Sequence, residues 1–135
     1  MEKVCPVVFR AASNGLEVLA FTHPSAGKQF VKGTVEDDEK LQDAAKRELF
    51  EESGVVADSS LVFMGTCPIG VERVAWHFFA CSKTSLPNSW DHATTDDYGH
   101  TFSFFWHPIE RPLNSDWHSI FHEAFNFFVP KIRLY

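Results

Sequence analysis

The sequence predicts an α/β domain in which helices cover a β-sheet, and three features point to it. Short β-branched and aromatic runs recur along the 135 residues. A stretch of good helix formers runs from about Asp38 to Ser53 and stops at Gly54. A second helical stretch, Asp116 to Val129, precedes Pro130. The length suits one domain over residues 1–135, and a 44% apolar fraction with 14 Phe and 4 Trp excludes a disordered chain.

Val4 to Arg10 and Leu16 to Phe21 are β-branched or apolar, and Ser13-Asn14-Gly15 between them carries turn chemistry, so the pair reads as a hairpin. His23 to Lys28, with Pro24 and Gly27, reads as a loop, and Gln29 to Val31 as a short strand leading to Gly33. Asp37 or Asp38 is placed to cap the helix that follows, and Gly54 suits a left-handed C-terminal cap. Leu61 to Ile69 and Val74 to Cys81 read as strands joined by a turn near Gly70. Ser82 to His100 is polar and reads as one long loop, of the kind that is usually functional. Phe102 to His107 is a strand ended by Pro108.

Cys5, Cys67 and Cys81 are odd in number with no Cys-x-x-Cys pair, which argues against a disulfide framework or a zinc knuckle. No apolar run reaches the length of a membrane span and no signal-peptide pattern opens the chain, so a cytoplasmic protein is expected. A net charge of −6 argues against a broad nucleic-acid track but permits a local phosphate pocket, because a bound cation inverts the local field.

The informative segment is Gly33 to Val55. On a helix Glu48, Glu51 and Glu52 stand at i, i+3 and i+4 and share one face. Their mutual repulsion, a few tenths of a kcal/mol per pair, favours nothing in a solvated helix. A hard divalent cation turns the same arrangement into a binding site, since Mg2+ prefers carboxylate oxygens and retained water.

The spacing Gly-x5-Glu-x7-Arg-Glu-Leu-x-Glu-Glu-x-Gly-Val, carried by Gly33, Glu39, Arg47, Glu48, Leu49, Glu51, Glu52, Gly54 and Val55, resembles the full signature of the Nudix hydrolases. A chance match at a given start is on the order of 10^-10 at average residue usage. The resemblance implies an α/β/α sandwich with a mixed β-sheet between helices. It also implies hydrolysis of a pyrophosphate bond in a nucleoside diphosphate linked to another group, with Mg2+ or alternatively Mn2+. Glu51 and Glu52 fall at metal-binding positions, and Glu48 at a position that binds metal or acts as general base. Arg47 and Glu39 match a pair that supports the catalytic helix, and Gly33 a close turn at the loop entrance. The candidate substrates are nucleoside triphosphates, dinucleoside polyphosphates and nucleotide sugars. The alternatives are a nucleotide-sensing module without activity and an RNA 5'-end pyrophosphohydrolase.

Outside the signature, relatives recruit one more acidic ligand from a later loop. Asp97 is the leading candidate with Asp96, and Asp91, His100 and Glu72 are alternatives. Lys28 and Lys32 flank the entrance to Gly33, and Lys28, Lys32 and Gly33 are the candidates for substrate phosphate. Phe30-Val31 stands where many relatives have Trp-Pro, and Asp37-Asp38 where a Pro-Gly turn is common, so no subfamily is assigned. His118 and His122, four apart, lack the further ligands a zinc site needs. The aromatic run Phe102, Phe104, Phe105 and Trp106 alternates as core residues do, with nucleobase stacking as the functional alternative.

Overall fold

A computed structural model describes residues 1–57, 61–95 and 99–135. Among the described residues eight strands and two helices follow one another as β1 (Lys3–Ala12), β2 (Gly15–His23), β3 (Gly27–Gln29), β4 (Gly33–Thr34), α1 (Leu41–Ser53), β5 (Leu61–Ile69), β6 (Val74–Ser82), β7 (Trp90–Ala93), β8 (Thr101–Pro108) and α2 (Ser119–Ile132). They form one mixed sheet of order β5-β6-β1-β2-β8-β7, with β3 against β2 and β4 against β1. The central β1–β6 pair is parallel, and the other pairs are antiparallel.

Alternation along the strands gives the sheet two apolar faces. Cys5, Val7 and Phe9 of β1 join Trp76, Phe78 and Ala80 of β6 beneath Phe121, Ala124, Phe125 and Phe128 of α2. Val4 and Val8 join Phe79, Cys81, Phe102 and Phe104 beneath Ala44, Ala45 and Leu49 of α1. The sheet is therefore sandwiched between the two helices, as expected. The three cysteines are free thiols, and burial pushes the Cys5 thiol well above its usual pKa. Among the described residues no helix is long and apolar enough to cross a membrane.

Several boundaries differ from the sequence reading, each for a physical reason. α1 begins at Leu41 with Lys40 at its N-cap and no side-chain cap, rather than behind Asp37 or Asp38. Asp38 has φ 61°, a left-handed conformation that cannot continue a right-handed helix. α2 begins at Ser119, where His118 Nδ1 accepts from the Ile120 N–H at 3.2 Å, and it runs through Pro130 to Ile132. The fully buried Ile132, one turn beyond Phe128, extends the packed face past the proline, whose lost hydrogen bond falls in the last turn. β3 lies two residues earlier than expected, and Phe30 and Val31 leave the strand to fill opposite cores.

The polar stretch from Ser82 to His100 is not one loop. It contains β7, an edge strand paired with β8 through Trp90↔Phe104 and His92↔Phe102. Its four residues carry no alternating apolar pattern of their own. The strand is held by Trp90 stacking on Phe104, centroids 5.1 Å apart and 8° between planes.

Candidate functional site

α1 presents the acidic face on a packed base. Ala44, Ala45 and Leu49 are fully buried against the sheet, and Glu48 on the same side is only 7% exposed. β4 lies beside the start of β1, with Val4↔Gly33 and Lys3↔Thr34 in register. Gly33 thus sits directly under Glu48. A Cβ built on Gly33 would overlap the Glu48 carboxyl carbon and both of its oxygens. Gly33 does not have a positive φ. The reason for glycine here is the close approach of that carboxylate rather than the turn anticipated from the sequence.

Arg47 organises the acids. Its Nε and Nη2 donate to Glu39 Oε2 and Oε1 at 2.8 and 2.9 Å, a bidentate pair. Nη1 donates to Glu48 Oε1 at 2.8 Å and to Glu51 Oε2 at 3.2 Å, and Nη2 also reaches the Thr34 carbonyl at 3.0 Å. One guanidinium therefore ties the loop before α1, strand β4 and two of the three helix glutamates together. It also offsets part of the repulsion between those glutamates, so the acidic face does not depend wholly on a bound metal ion for compensation. Glu36, absent from the sequence-based candidates, adds an ion pair to Arg47 Nε at 3.3 Å.

Hydrogen bonding to Arg47 holds the Glu39 carboxyl below the usual carboxylate range, and the neighbouring acids raise Arg47 further above its own. A carboxylate whose folded pKa is depressed stabilises the protein fully above its unfolded value of about 4.3, and that contribution drains as pH falls through the lower folded value. The acid limb of a urea-denaturation profile between pH 6 and 3 is therefore expected to be shallower for Glu39→Gln than for the native chain. Arg47→Ala is expected to cost about 2–4 kcal/mol of stability, because it removes the charged partner that donates to the buried Glu48 carboxylate at 2.8 Å. Arg47→Lys recovers only part of this, since a point charge cannot replace the fork. Urea midpoints of the two variants check both statements.

A cavity of about 580 Å³ opens beside Gly33, and Lys3, Lys32, Thr34, Glu52 and His23 line it. Lys3 was not among the candidates from sequence, because only the β1–β4 pairing brings residue 3 to the signature. Its Nζ donates to Thr34 Oγ1 at 2.7 Å. Burial, and then the neighbouring Lys32, lower the Lys3 pKa, while Glu48 and Glu52 oppose the shift. His23 Nδ1 accepts from the Ser25 N–H at 3.0 Å, which puts the proton of a neutral ring on Nε2.

Lys28, the other lysine anticipated for phosphate, is not brought to this cavity. Its Nζ lies 3.4 Å from Asp116 Oδ2 and over the Phe105 ring, in a separate pocket with Arg111 and Trp117. Of the candidates for a further acidic ligand, Glu72 lies at the β5–β6 turn beside a different pocket, and Asp91 is exposed on β7. His100 stands edge-on to His23, which lines the cavity, with ring centroids 5.0 Å apart. Asp96 and Asp97 lie outside the described residues.

The end of α1 is buttressed by β7, a support invisible in the sequence. Trp90 Nε1 donates to the Ser53 carbonyl at 3.0 Å, and His92 Nε2 donates to the Glu51 carbonyl at 3.1 Å. Gly54, with φ 78°, closes the helix through its N–H to the Phe50 carbonyl at 2.9 Å.

The donor set of Glu48, Glu51 and Glu52 is all hard oxygen, which suits Mg2+ or Mn2+ rather than a soft metal. Among the described residues no three acidic, imidazole or thiol groups converge as a ready cage. That is compatible with Mg2+, which keeps several waters and needs only one or two carboxylates with substrate phosphates.

A family model for the NUDIX domain matches residues 4–125. The chain belongs to the NUDIX family. Solved structures agree on the fold of this NUDIX domain. A mutT/nudix family protein from Listeria innocua superposes with TM-score 0.69 at 16% identity, covering 98% of this chain and 94% of that one. An Ap4A hydrolase from C. elegans gives TM-score 0.67 at 15% identity, covering 99% and 100%. The NUDIX domain of NrtR from Shewanella oneidensis, complexed with ADP ribose, gives 0.67 at 16% identity, covering 100% and 88%. At such identities the likeness shows the fold. No curated protein matches this NUDIX domain in sequence.

Proposed function

We propose that this NUDIX domain hydrolyses a pyrophosphate bond in a nucleoside diphosphate linked to another group, using a divalent cation held by Glu48, Glu51 and Glu52. One observation carries the reading. The Glu48 carboxylate is clamped by Arg47 against Gly33, and Gly33 lines a cavity together with Glu52, Lys3 and Lys32.

When bound, Mg2+ supplies charge neutralisation on phosphate oxygens and a more acidic water. The chain supplies the rest. Lys3 and Lys32 face the anionic substrate as point charges. A carboxylate of the cluster takes the proton of the attacking water, and the bond to the leaving phosphate breaks. Arg47 fixes the orientation of Glu48 and Glu51, which keeps the acidic oxygens in place before substrate arrives.

The C. elegans relative is an Ap4A hydrolase and the Shewanella domain is complexed with ADP ribose. Both compounds therefore belong in the test, beside ATP and a 5'-triphosphorylated RNA. Phosphate-bearing products are to be followed with and without Mg2+. Turnover of a nucleotide that stops when the metal is removed is expected. Absence of turnover with every compound would overturn the enzymatic reading, and exclusive turnover of the RNA would replace it with 5'-end hydrolysis.

A further inference from the structure

A second cavity, of about 360 Å³, adjoins the first and shares Lys3 and Lys32 with it. Its walls are Ile69 of β5, Val74 and Trp76 of β6, and Ile120 of α2. Ile69 and Trp76 are almost wholly buried and form a fixed floor. The β5–β6 turn is fastened to α2, since the Gly70 N–H donates to Glu123 Oε1 at 3.2 Å. The cavity is thus held between two anchored elements.

Its chemistry is lopsided. The two lysines stand where it meets the first cavity, and Glu72 is the acidic residue of the lining. The walls named above are aliphatic or aromatic. A sugar or a polar base edge entering there would give up hydrogen bonds to water and find little to replace them. An apolar group would instead displace about a dozen waters, by their share of liquid volume, from surface that hydrates poorly.

Resting on the proposed pyrophosphate hydrolysis, we infer that this cavity binds an apolar group on the substrate, an aromatic or branched alkyl ester of the diphosphate that Lys3 and Lys32 hold. The substrate class is then a diphosphate with one apolar end, rather than one with a sugar at that position.

Two compounds with the same nucleoside separate these cases: the benzyl ester of ADP and ADP-ribose. Dissociation constants for the native full chain are measured calorimetrically with Ca2+ in place of Mg2+, a hard cation that carboxylates also bind, under conditions in which neither compound is consumed. The benzyl ester is expected to bind about tenfold tighter or better, the scale on which apolar pockets discriminate. Ile120→Asn is expected to erase that advantage. The milder Val74→Thr, which adds a hydroxyl at similar size, is expected to reduce it, with thermal melts confirming that both fold. Equal or tighter binding of ADP-ribose, or an advantage unmoved by both variants, overturns the inference. Nucleotide turnover by the native chain alongside that result overturns this inference alone. No binding of either compound together with no turnover overturns the catalytic reading as well.

Discussion

Glu52→Gln is expected to lower kcat/KM about a thousandfold, some 4 kcal/mol of transition-state stabilisation, while the fold survives. Glutamine matches glutamate in size but removes the charge, and an amide is a far poorer partner for a hard cation. Glu52 is half-buried and lines the same cavity as Lys3, Lys32 and Gly33, so the lost charge falls in the site proposed for the pyrophosphate. The packing of α1 rests on Ala44, Ala45 and Leu49, none of which the substitution touches. Steady-state kinetics on the best substrate of the panel, with a thermal melt beside it, reads both parts. Unchanged turnover would remove Glu52 from the site.

Gly33→Ala is expected to damage activity and stability together. The new methyl would fall on the Glu48 carboxyl group, so either that side chain turns away from Arg47 or β4 shifts against β1. Overpacking of this kind costs about 1–3 kcal/mol. A displacement near 1 Å costs about a hundredfold in rate, so a hundredfold loss in kcat/KM is the expected minimum. A double-mutant cycle isolates the cause. In a Glu48→Ala background the methyl has room, and the stability cost of Gly33→Ala should largely disappear. An equal cost in both backgrounds would show that glycine is required for another reason.

The parts of the site that were legible in the sequence are those bound to one short segment. Arg47, Glu48, Glu51 and Glu52 share a helix, so their common face follows from its period, and Gly54 at its end follows from cap chemistry. Strands β1, β2, β5, β6 and β8 were legible from their apolar runs, and two helices on a sheet followed. What could not be read depends on contacts distant in sequence. Lys3 reaches Thr34 only because β1 and β4 pair across 31 residues. Trp90 and His92 support the end of α1 through β7, whose four residues carry no periodic signal. Lys28 and Lys32 looked equivalent beside Gly33, yet Lys28 turns to Asp116 while Lys32 lines the cavity. Lys28 belongs to β3, which pairs with β2, whereas Lys32 lies beyond that strand in the segment leading to β4 beside β1, so different strand pairings place the two lysines. The reason for Gly33 was also hidden, because Glu48 lies 15 positions further along the chain.

The central claim is that Glu48, Glu51 and Glu52 hold the cation used in hydrolysis. Electron paramagnetic resonance of free Mn2+ during a titration with protein tests it without reference to turnover. The native chain should remove Mn2+ from solution in competition with Mg2+, and Glu52→Gln should remove much less at the same concentrations. Equal uptake by the native chain and by Glu52→Gln, with both proteins folded, would contradict it.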